Sequence, residues 1–380
     1  MIIAILGLGT VGYGVYDIIK TSSMLKDVQI KYILDKNLYL QENIQEKITN
    51  NFQEIINDKE VDTIIECMGA NEFSYKCIKE ALENKKNVIT ANKEVIANHI
   101  KELTKIKEAN NVSLYYEASV GGGIPIIKNL FQNALINEID QITGILNGTT
   151  NFILSKMTYD KMSFNEAVKL AQRKGFAESD PTADLEGLDM VRKITILSSI
   201  AYKTEIDPNK VWHYGISNLQ ESDINFSEKE GYVIKFLATS TNNNGNIELK
   251  VEPNFIKKNN IFSLINDENN IIEFNSSIND KLSFAGKGAG RYPTANAMVN
   301  DLIMILNKDK NYSFKEESKK TIKEGKAKNK YYIRVKNTNL INPEIIDIKT
   351  NNQIITKEIS FNIIKDLLND IYFYAKIQGE

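Results

Sequence analysis

Short apolar runs alternate with polar, helix-compatible stretches through the first third of the chain. The runs are Ile2–Leu6, Ile30–Leu34, Thr63–Cys67, Asn87–Thr90 and Ser113–Tyr116, and the stretches between them include Phe73–Asn84 and Ile96–Asn110. Strands buried on both faces read as continuous apolar runs, and parallel neighbours need crossover helices between them. The pattern therefore predicts an α/β, Rossmann-like doubly wound domain over residues 1–130.

The rhythm changes after residue 130. Asn147-Gly148-Thr149-Thr150-Asn151 reads as a polar turn, followed by a helix-rich block from Phe152 to Tyr202. Strand-like runs follow at Val233–Thr239, Ile247–Val251 and Ile271–Phe274, with Asn242-Asn243-Asn244-Gly245 as a turn between the first two. Helices followed by strands predict an inserted α+β domain over 131–285. Gly286, Gly288 and Gly290 then lead into an apolar helix from Ala295 to Leu306, so that 286–310 completes the first domain. Charged residues from Lys308 to Lys330 read as a linker, centred on 311–330. Residues 331–380 read as a small α+β module, with strands near Tyr331–Val335, Glu344–Lys349, Gln353–Ile359 and Ile371–Ile377 and a helix near Asn362–Asn369.

Composition narrows the partners. Lys plus Arg total 47 against 49 Asp plus Glu, a formal charge of −2, so no overall field draws the chain to nucleic acid or an anionic membrane. No apolar stretch reaches the ~18 residues of a membrane span. Glycines at 7, 9, 12 and 14 break the apolar start, which also lacks the basic segment of a signal peptide. The two cysteines, Cys67 and Cys77, fit no disulfide framework or common zinc spacing. A reducing, cytoplasmic location is the expectation.

Gly7-Leu8-Gly9-Thr10-Val11-Gly12 matches G-x-G-x-x-G between a first strand and a helix. The first glycine permits the turn, Gly9 lets backbone approach a pyrophosphate, and Gly12 lets helix pack on strand. Asp35 ends the second strand, where an acid accepts from ribose hydroxyls; Lys36 beside it could instead neutralise a 2′-phosphate. NAD and NADP thus both remain open. A strand-end cap is the competing reading of Asp35. Lys93, within Thr90-Ala91-Asn92-Lys93, follows a strand's carboxyl end and so faces the cofactor crevice, although any lysine can simply be solvated.

Proton transfer needs another source than histidine, since His99 sits in a polar helix and His213 beside Trp212. The segment from Gly175 to Lys193 holds Glu178, Asp180, Asp184, Glu186 and Asp189 just ahead of Arg192 and Lys193. Asp189 and Lys193 lie four apart on a predicted helix and share a face. An exposed pair there is worth only ~0.3–0.5 kcal/mol. Acids crowded near a lysine suit a site that takes an ammonium group and moves a proton.

Taken together these segments resemble homoserine dehydrogenases over about residues 1–310. The resemblance is carried by the glycine motif, Thr90-Ala91-Asn92-Lys93, Glu117-Ala118-Ser119-Val120-Gly121-Gly122-Gly123-Ile124-Pro125-Ile126, Asn147 to Asn151, Glu178 to Lys193, and Gly288-Ala289-Gly290 with Pro293-Thr294. It implies interconversion of L-aspartate 4-semialdehyde and L-homoserine with NADP or NAD, on the way to threonine and methionine. It implies Lys193 as proton donor and acceptor and Lys93 near the nicotinamide. Asp189 and Asp184 would orient lysine and substrate, with Glu178 at the ammonium group and Thr149 and Gly148 in the substrate loop. Thr90, Lys93 and Gly288 join Gly7, Gly9, Thr10, Val11, Gly12, Asp35 and Lys36 on the cofactor side. Glu117, Val120, Gly122 and Ile124 would hold a monovalent cation, sodium.

In the oxidative direction Lys193 must become neutral, so the rate should rise toward alkaline pH. Ala183 stands where some relatives carry an acid, and Phe152 and Phe176 stand where tyrosines are frequent. Residues 331–380 resemble a degenerate ACT domain without the usual turn and first helix, which leaves a regulatory and an oligomerisation role both open. Edge strands of the second domain predict a homodimer or higher homo-oligomer. The alternatives are a dehydrogenase of another small amino-acid semialdehyde, separable by a substrate panel, and a non-catalytic nucleotide sensor, which would bind cofactor without turnover.

Overall fold

The computed structural model describes residues 1–38, 44–69, 71–309, 320–323, 325 and 327–379, so the expected linker lies in part outside the described residues. The chain divides into two compact units. One is Met1–Glu138 with Thr195–Pro208 and Gly286–Lys319; the other is Ile139–Ile194 with Asn209–Ala285 and Lys320–Glu380. Thr195–Pro208, which the apolar pattern assigns to the second domain, clusters with the first.

In the first unit β1 (Ile2–Leu6), β2 (Gln29–Leu34), β3 (Lys47–Thr49), β4 (Thr63–Glu66), β5 (Asn87–Thr90) and β6 (Leu114–Tyr115) form a parallel sheet in the order β3-β2-β1-β4-β5-β6. Each predicted run becomes a strand; β3 is additional, three residues with a single aliphatic side chain and too short to read. Its helices are α1 (Thr10–Thr21), α2 (Phe52–Ile56), α3 (Glu72–Glu83), α4 (Lys93–Asn110), α5 (Ile126–Ala134) and a later helix, Arg291–Leu306. A Cβ on Gly14 would stand 3.0 Å from the Cβ of Ala295, so α1 and the later helix pack backbone-close. Strand order reverses between β1 and β4, and in such sheets the crevice beyond the carboxyl ends at the reversal is where ligands bind.

The second unit holds a mixed sheet. Its path runs β12-β11-β7-β9-β10-β18-β14-β16-β15. The strands are β7 (Ile139–Ile145), β8 (Trp212–His213), β9 (Tyr232–Asn243), β10 (Asn246–Lys257), β11 (Asn269–Ser276), β12 (Asp280–Lys287), β13 (Thr321–Ile322), β14 (Lys328–Val335), β15 (Ile346–Thr350), β16 (Gln353–Thr356), β17 (Ile359–Ser360) and β18 (Ile371–Ile377). The hairpin β9–β10 turns on Asn244 and Gly245, both at positive φ (52° and 84°), the geometry whose twist matches antiparallel strands. Helices α6 (Gly148–Tyr159), α7 (Phe164–Arg173), α8 (Thr182–Leu185) and α10 (Glu221–Lys229) belong to this unit, and α9 (Leu188–Tyr202) begins in it.

Besides the two-residue strands β8 and β13, two longer strands of this sheet escape a reading of the sequence. In β7 the run Ile-Asp-Gln-Ile-Thr-Gly-Ile is diluted by polar residues, and β12 is an edge strand whose side chains are mostly exposed. Residues 331–380 do not stand apart as the apolar pattern suggests. β18 pairs in parallel with β10 at Asn254↔Lys376 and Phe255↔Ile377, and antiparallel with β14. The four strands β18-β14-β16-β15 nonetheless keep a core of their own, including Tyr331, Ile333, Ile354, Phe361 and Ile364. Where a first crossover helix would stand between β14 and β15 there are two short 3-10 turns, Thr338–Leu340 and Pro343–Ile345.

A buried ion pair fixes this part of the sheet to α10. Arg334 Nε donates to Asp223 Oδ1 at 2.9 Å, and Tyr332 OH donates to the same oxygen at 2.6 Å. Both charged side chains are almost wholly buried. Burial pushes the Asp223 carboxyl up from its ordinary value, against the pull of Arg334 and Tyr332. Breaking one partner of a buried pair strands the other charge at a cost of ~3–5 kcal/mol. Asp223→Asn should therefore lower stability by about that amount, measured as a fall in the denaturant midpoint at unchanged slope.

No helix among the described residues is long and apolar enough to cross a membrane.

Candidate active site

The glycine turn is built as its sequence requires. Gly7 adopts φ +87°, and a Cβ on Gly12 would lie 2.0 Å from the Gly7 carbonyl oxygen, so only glycine lets α1 start this close to β1. A Cβ on Gly9 would meet nothing within 4 Å. Gly9 and Thr10 are exposed, and α1 has no side-chain cap at its N-terminus. Uncapped first-turn amides beside open space are what a pyrophosphate needs, so these residues fit a dinucleotide.

Asp35 holds this turn as well as ending β2. Its Oδ2 accepts from Leu8 N and its Oδ1 from Asn37 N, each at 2.9 Å. The strand-end reading of Asp35 is thus realised, and a carboxylate oxygen has lone pairs left for a ribose hydroxyl. Lys36 next to it is exposed.

At the carboxyl end of β5 the Thr90 hydroxyl turns inward. It donates to Glu66 Oε2 at 2.5 Å and accepts from Asn92 N at 2.9 Å. Thr90 is fully buried, so its side chain is committed to the protein rather than offered to a cofactor. Lys93 opens α4, one residue past the N-cap Asn92, and is half-buried. Glu66 was invisible as a site residue because it closes the run Thr-Ile-Ile-Glu. Its one signal is a carboxylate at the end of a strand whose four residues are all buried.

Further along the same unit, Gly121 and Gly122 take positive φ (76° and 56°), and a Cβ on Gly122 would come within 2.6 Å of the Gly288 carbonyl. Gly288 is therefore seated against this loop by backbone contact. Glu117 Oε1 and Oε2 accept from Ile127 N and Lys128 N at 2.7 and 2.8 Å, capping α5. Asp301 Oδ2 accepts from Glu117 N at 3.0 Å, and burial together with the Glu117 charge holds the Asp301 carboxyl well above its ordinary value. With the Glu117 carboxylate spent on α5, what Glu117, Val120, Gly122 and Ile124 have in common is main-chain carbonyls in a buried loop. Among the described residues no group of three or more His, Cys, Asp and Glu is placed to hold a metal ion.

The acids and lysine of the second unit come together around one asparagine. Lys193 Nζ donates to Asp189 Oδ2 at 2.8 Å and to the Leu146 carbonyl at 2.7 Å. Asn147 Nδ2 donates to that same Asp189 oxygen at 2.9 Å and to Asp184 Oδ1 at 2.8 Å. Asn147 Oδ1 meanwhile accepts from Thr150 N as the N-cap of α6. One side chain thus starts α6 and bridges both acids to the lysine. Sequence reading passes over it because Asn147 to Asn151 reads as a polar turn, where an asparagine needs no further explanation, whereas α6 already begins at Gly148. Lys193 and Asp189 are buried, unlike the solvated i,i+4 pair that spacing alone suggests.

The segment expected to be the substrate loop is the first turn of α6, and it is held from several sides. Thr149 Oγ1 donates to the Phe176 carbonyl at 2.7 Å, and a Cβ on Gly148 would press to 2.7 Å from the Glu268 carbonyl. Phe152 and Phe176 pack with centroids 5.0 Å apart, an apolar contact in place of tyrosine hydroxyls. Asn151 Nδ2 donates to the carbonyls of Ile265, Asp267 and Asn269. Lys235 Nζ donates to Asn151 Oδ1, the Ile265 carbonyl and Asn266 Oδ1. Burial draws Lys235 down to about 8, which by number alone makes it a tempting base. Three internal acceptors and near-complete burial make it a structural strut instead. Glu178 is exposed in the segment after α7, with its carbonyl accepting from Gln172 Nε2.

Comparison with known proteins places these two arrangements in one enzyme type. The family model described as homoserine dehydrogenase matches residues 125–303, and the one described as homoserine dehydrogenase, NAD binding domain matches 7–117. The homoserine dehydrogenase of Bacillus subtilis is 37% identical over 313 residues, covering 80% of this chain and 72% of that protein. The Lactococcus lactis enzyme is 33% identical over 356 residues, covering 90% and 80%. The crystal structure of a homoserine dehydrogenase from Thiobacillus denitrificans superposes with a TM-score of 0.90 at 27% identity, covering 100% of this chain and 98% of that one. That of the S. aureus enzyme gives 0.80 at 33% identity, covering 100% and 99%. A chain with this fold and this extent of likeness belongs to the homoserine dehydrogenase family of NAD(P)-dependent oxidoreductases.

Proposed function

We propose that the chain interconverts L-homoserine and L-aspartate 4-semialdehyde, with Lys193 as the proton-transfer group. The observation that carries this reading is a buried ammonium held at 2.7–2.8 Å by Asp189 and the Leu146 carbonyl inside the unit that also bears Glu178 and Thr149. When bound, NAD or NADP accepts or supplies the hydride. As the neutral amine, reached toward alkaline pH, Lys193 takes the hydroxyl proton during oxidation; as the ammonium it stabilises charge growing on the aldehyde oxygen during reduction and returns the proton. Asp189 orients the amine, Asp184 acts through Asn147, Glu178 meets the substrate ammonium, and Gly148 and Thr149, in the first turn of α6, border the substrate. Lys93, at the start of α4, serves the coenzyme side.

The coenzyme is read onto the turn of Gly7, Gly9, Thr10, Val11 and Gly12, with Asp35, Lys36, the backbone at Thr90, and Gly288 around it. Buried carbonyls of Glu117, Val120, Gly122 and Ile124 suit a monovalent cation such as sodium, whose hard charge prefers oxygen. A homodimer in the cytoplasm, paired through the exposed edge β12, completes the proposal.

The test is homoserine oxidation followed by absorbance of the reduced coenzyme, with NAD and NADP in parallel and sodium exchanged for a larger cation. Turnover that needs homoserine and climbs toward alkaline pH is expected. Coenzyme binding without turnover on homoserine would defeat the reading.

A further inference from the structure

The first unit contains one carboxylate whose position outruns any role assigned so far. Glu66 is the last residue of β4, paired in register with Leu6 of β1 on one side and Thr90 of β5 on the other. It therefore stands at the reversal of strand order, immediately beside the glycine turn that starts at Gly7. It is fully buried. Among the described residues its carboxylate contacts no cation. Oε1 accepts from Met68 N at 2.7 Å and Oε2 from the Thr90 hydroxyl at 2.5 Å, while its carbonyl accepts from Ala91 N at 3.4 Å.

From there the bonds continue in one direction. Thr90 Oγ1 accepts from Asn92 N at 2.9 Å, and Asn92 Oδ1 accepts from Val95 N at 3.2 Å as the cap of α4, whose first residue is Lys93. The geometry points to Glu66 as a positioning residue: through Thr90 and Asn92 it fixes the turn that presents Lys93 to the crevice, and through Met68 it fixes the adjoining end of β4. This rests on the reading of Lys93 given above.

The cost of the arrangement supports a purpose beyond packing. An unpaired carboxylate is expensive to bury, and here burial raises the carboxyl to about 7 even though Thr90 and Met68 pull it down. An apolar side chain would serve β4 better if strand stability were all that mattered. A carboxylate accepts at once from Met68 N–H and from the Thr90 hydroxyl, whose own lone pairs stay available to Asn92 N–H. A glutamine has one acceptor oxygen, so its amide nitrogen would face either Met68 N–H or the Thr90 hydroxyl, leaving a buried donor without an acceptor, and the turn would shift to find one.

The experiment is a double-mutant cycle of Glu66→Gln and Thr90→Val, with Thr90→Ser as the conservative variant and Lys93→Met in parallel. Homoserine oxidation, coenzyme affinity and thermal midpoint are measured for each. Positioning predicts that each single variant loses about tenfold or more in kcat, a change of ~1.4 kcal/mol in barrier, with a smaller change in coenzyme affinity. The double variant should be no worse than the poorer single, and Thr90→Ser should restore most of what Thr90→Val loses. Should Glu66→Gln not fold, the Thr90→Val and Thr90→Ser pair carries the comparison.

Wild-type kcat in folded Glu66→Gln, with a lower thermal midpoint as the only change, overturns the proposal, as do losses that multiply in the double variant. If Lys93→Met keeps full turnover, the reading of Lys93 falls and this inference with it. If Lys93→Met is impaired while Glu66→Gln is not, the failure belongs to Glu66 alone.

Discussion

Lys193→Ala should reduce homoserine oxidation by on the order of 10²–10⁴, the span general acid–base groups typically contribute, while coenzyme affinity stays within about twofold. The separation follows from where the groups lie. Lys193, Asp189, Asn147 and Asp184 are tied to one another by residues of the second unit, whereas the glycine turn, Asp35 and the Glu66–Thr90 tie belong to the first. The truncation also leaves Asp189, 4% exposed, facing Asn147 without the ammonium, so some stability is lost as well. Lys193→Arg would keep the charge but not a group that deprotonates in the working pH range. It should preserve stability better than alanine and still fail to oxidise homoserine. A Lys193→Ala protein with wild-type turnover in the coenzyme-absorbance assay would remove Lys193 from the chemistry.

Gly9→Ala and Gly12→Ala should part company. A methyl on Gly12 has to displace backbone, since it would lie 2.0 Å from the Gly7 oxygen. Both stability and coenzyme binding should fall. Gly9 has φ −70°, open to any residue, and nothing within 4 Å of its missing Cβ, so alanine costs the fold nothing. If the pyrophosphate lies against Gly9, that methyl occupies its place, and affinity should weaken by about tenfold or more, ~1.4 kcal/mol, at an unchanged thermal midpoint. Fluorescence titration with the reduced coenzyme and a melting curve decide it. Unchanged affinity in Gly9→Ala would mean the dinucleotide does not approach that turn.

What could be read in advance follows the range of the forces involved. The parallel strands are legible because burial on both faces leaves a continuous apolar run. The glycine turn is legible because its steric demands act between residues a few positions apart. Asp189 and Lys193 meet because helical periodicity alone sets them on one face. Asn147 is different: its segment reads as a turn rather than a helix start, and its bonds to Asp184 and Asp189 span about forty residues, which nothing in an asparagine announces. Glu66 is hidden for the same reason, as its partner Thr90 is set by strand register.

The C-terminal segment shows the limit most clearly. Its strands are readable one by one, yet its attachment to β10 is a choice of partner made in space. Lys235 is a reverse case: buried and drawn down to about 8, it looks reactive by itself, and only Asn151, Ile265 and Asn266 around it reveal a strut.

The parallel join between β10 and β18 bears on how the chain reaches this state. The hairpin β9–β10 forms from neighbours, but Phe255 waits for Ile377, far downstream, before that side of its backbone is covered. Contacts of such sequence separation form late, because loop closure must come before they contribute anything. During that interval a β-rich border lies open to strangers as readily as to its own partner. Refolding that slows at its last step and loses yield as protein concentration rises is the expected consequence of that topology.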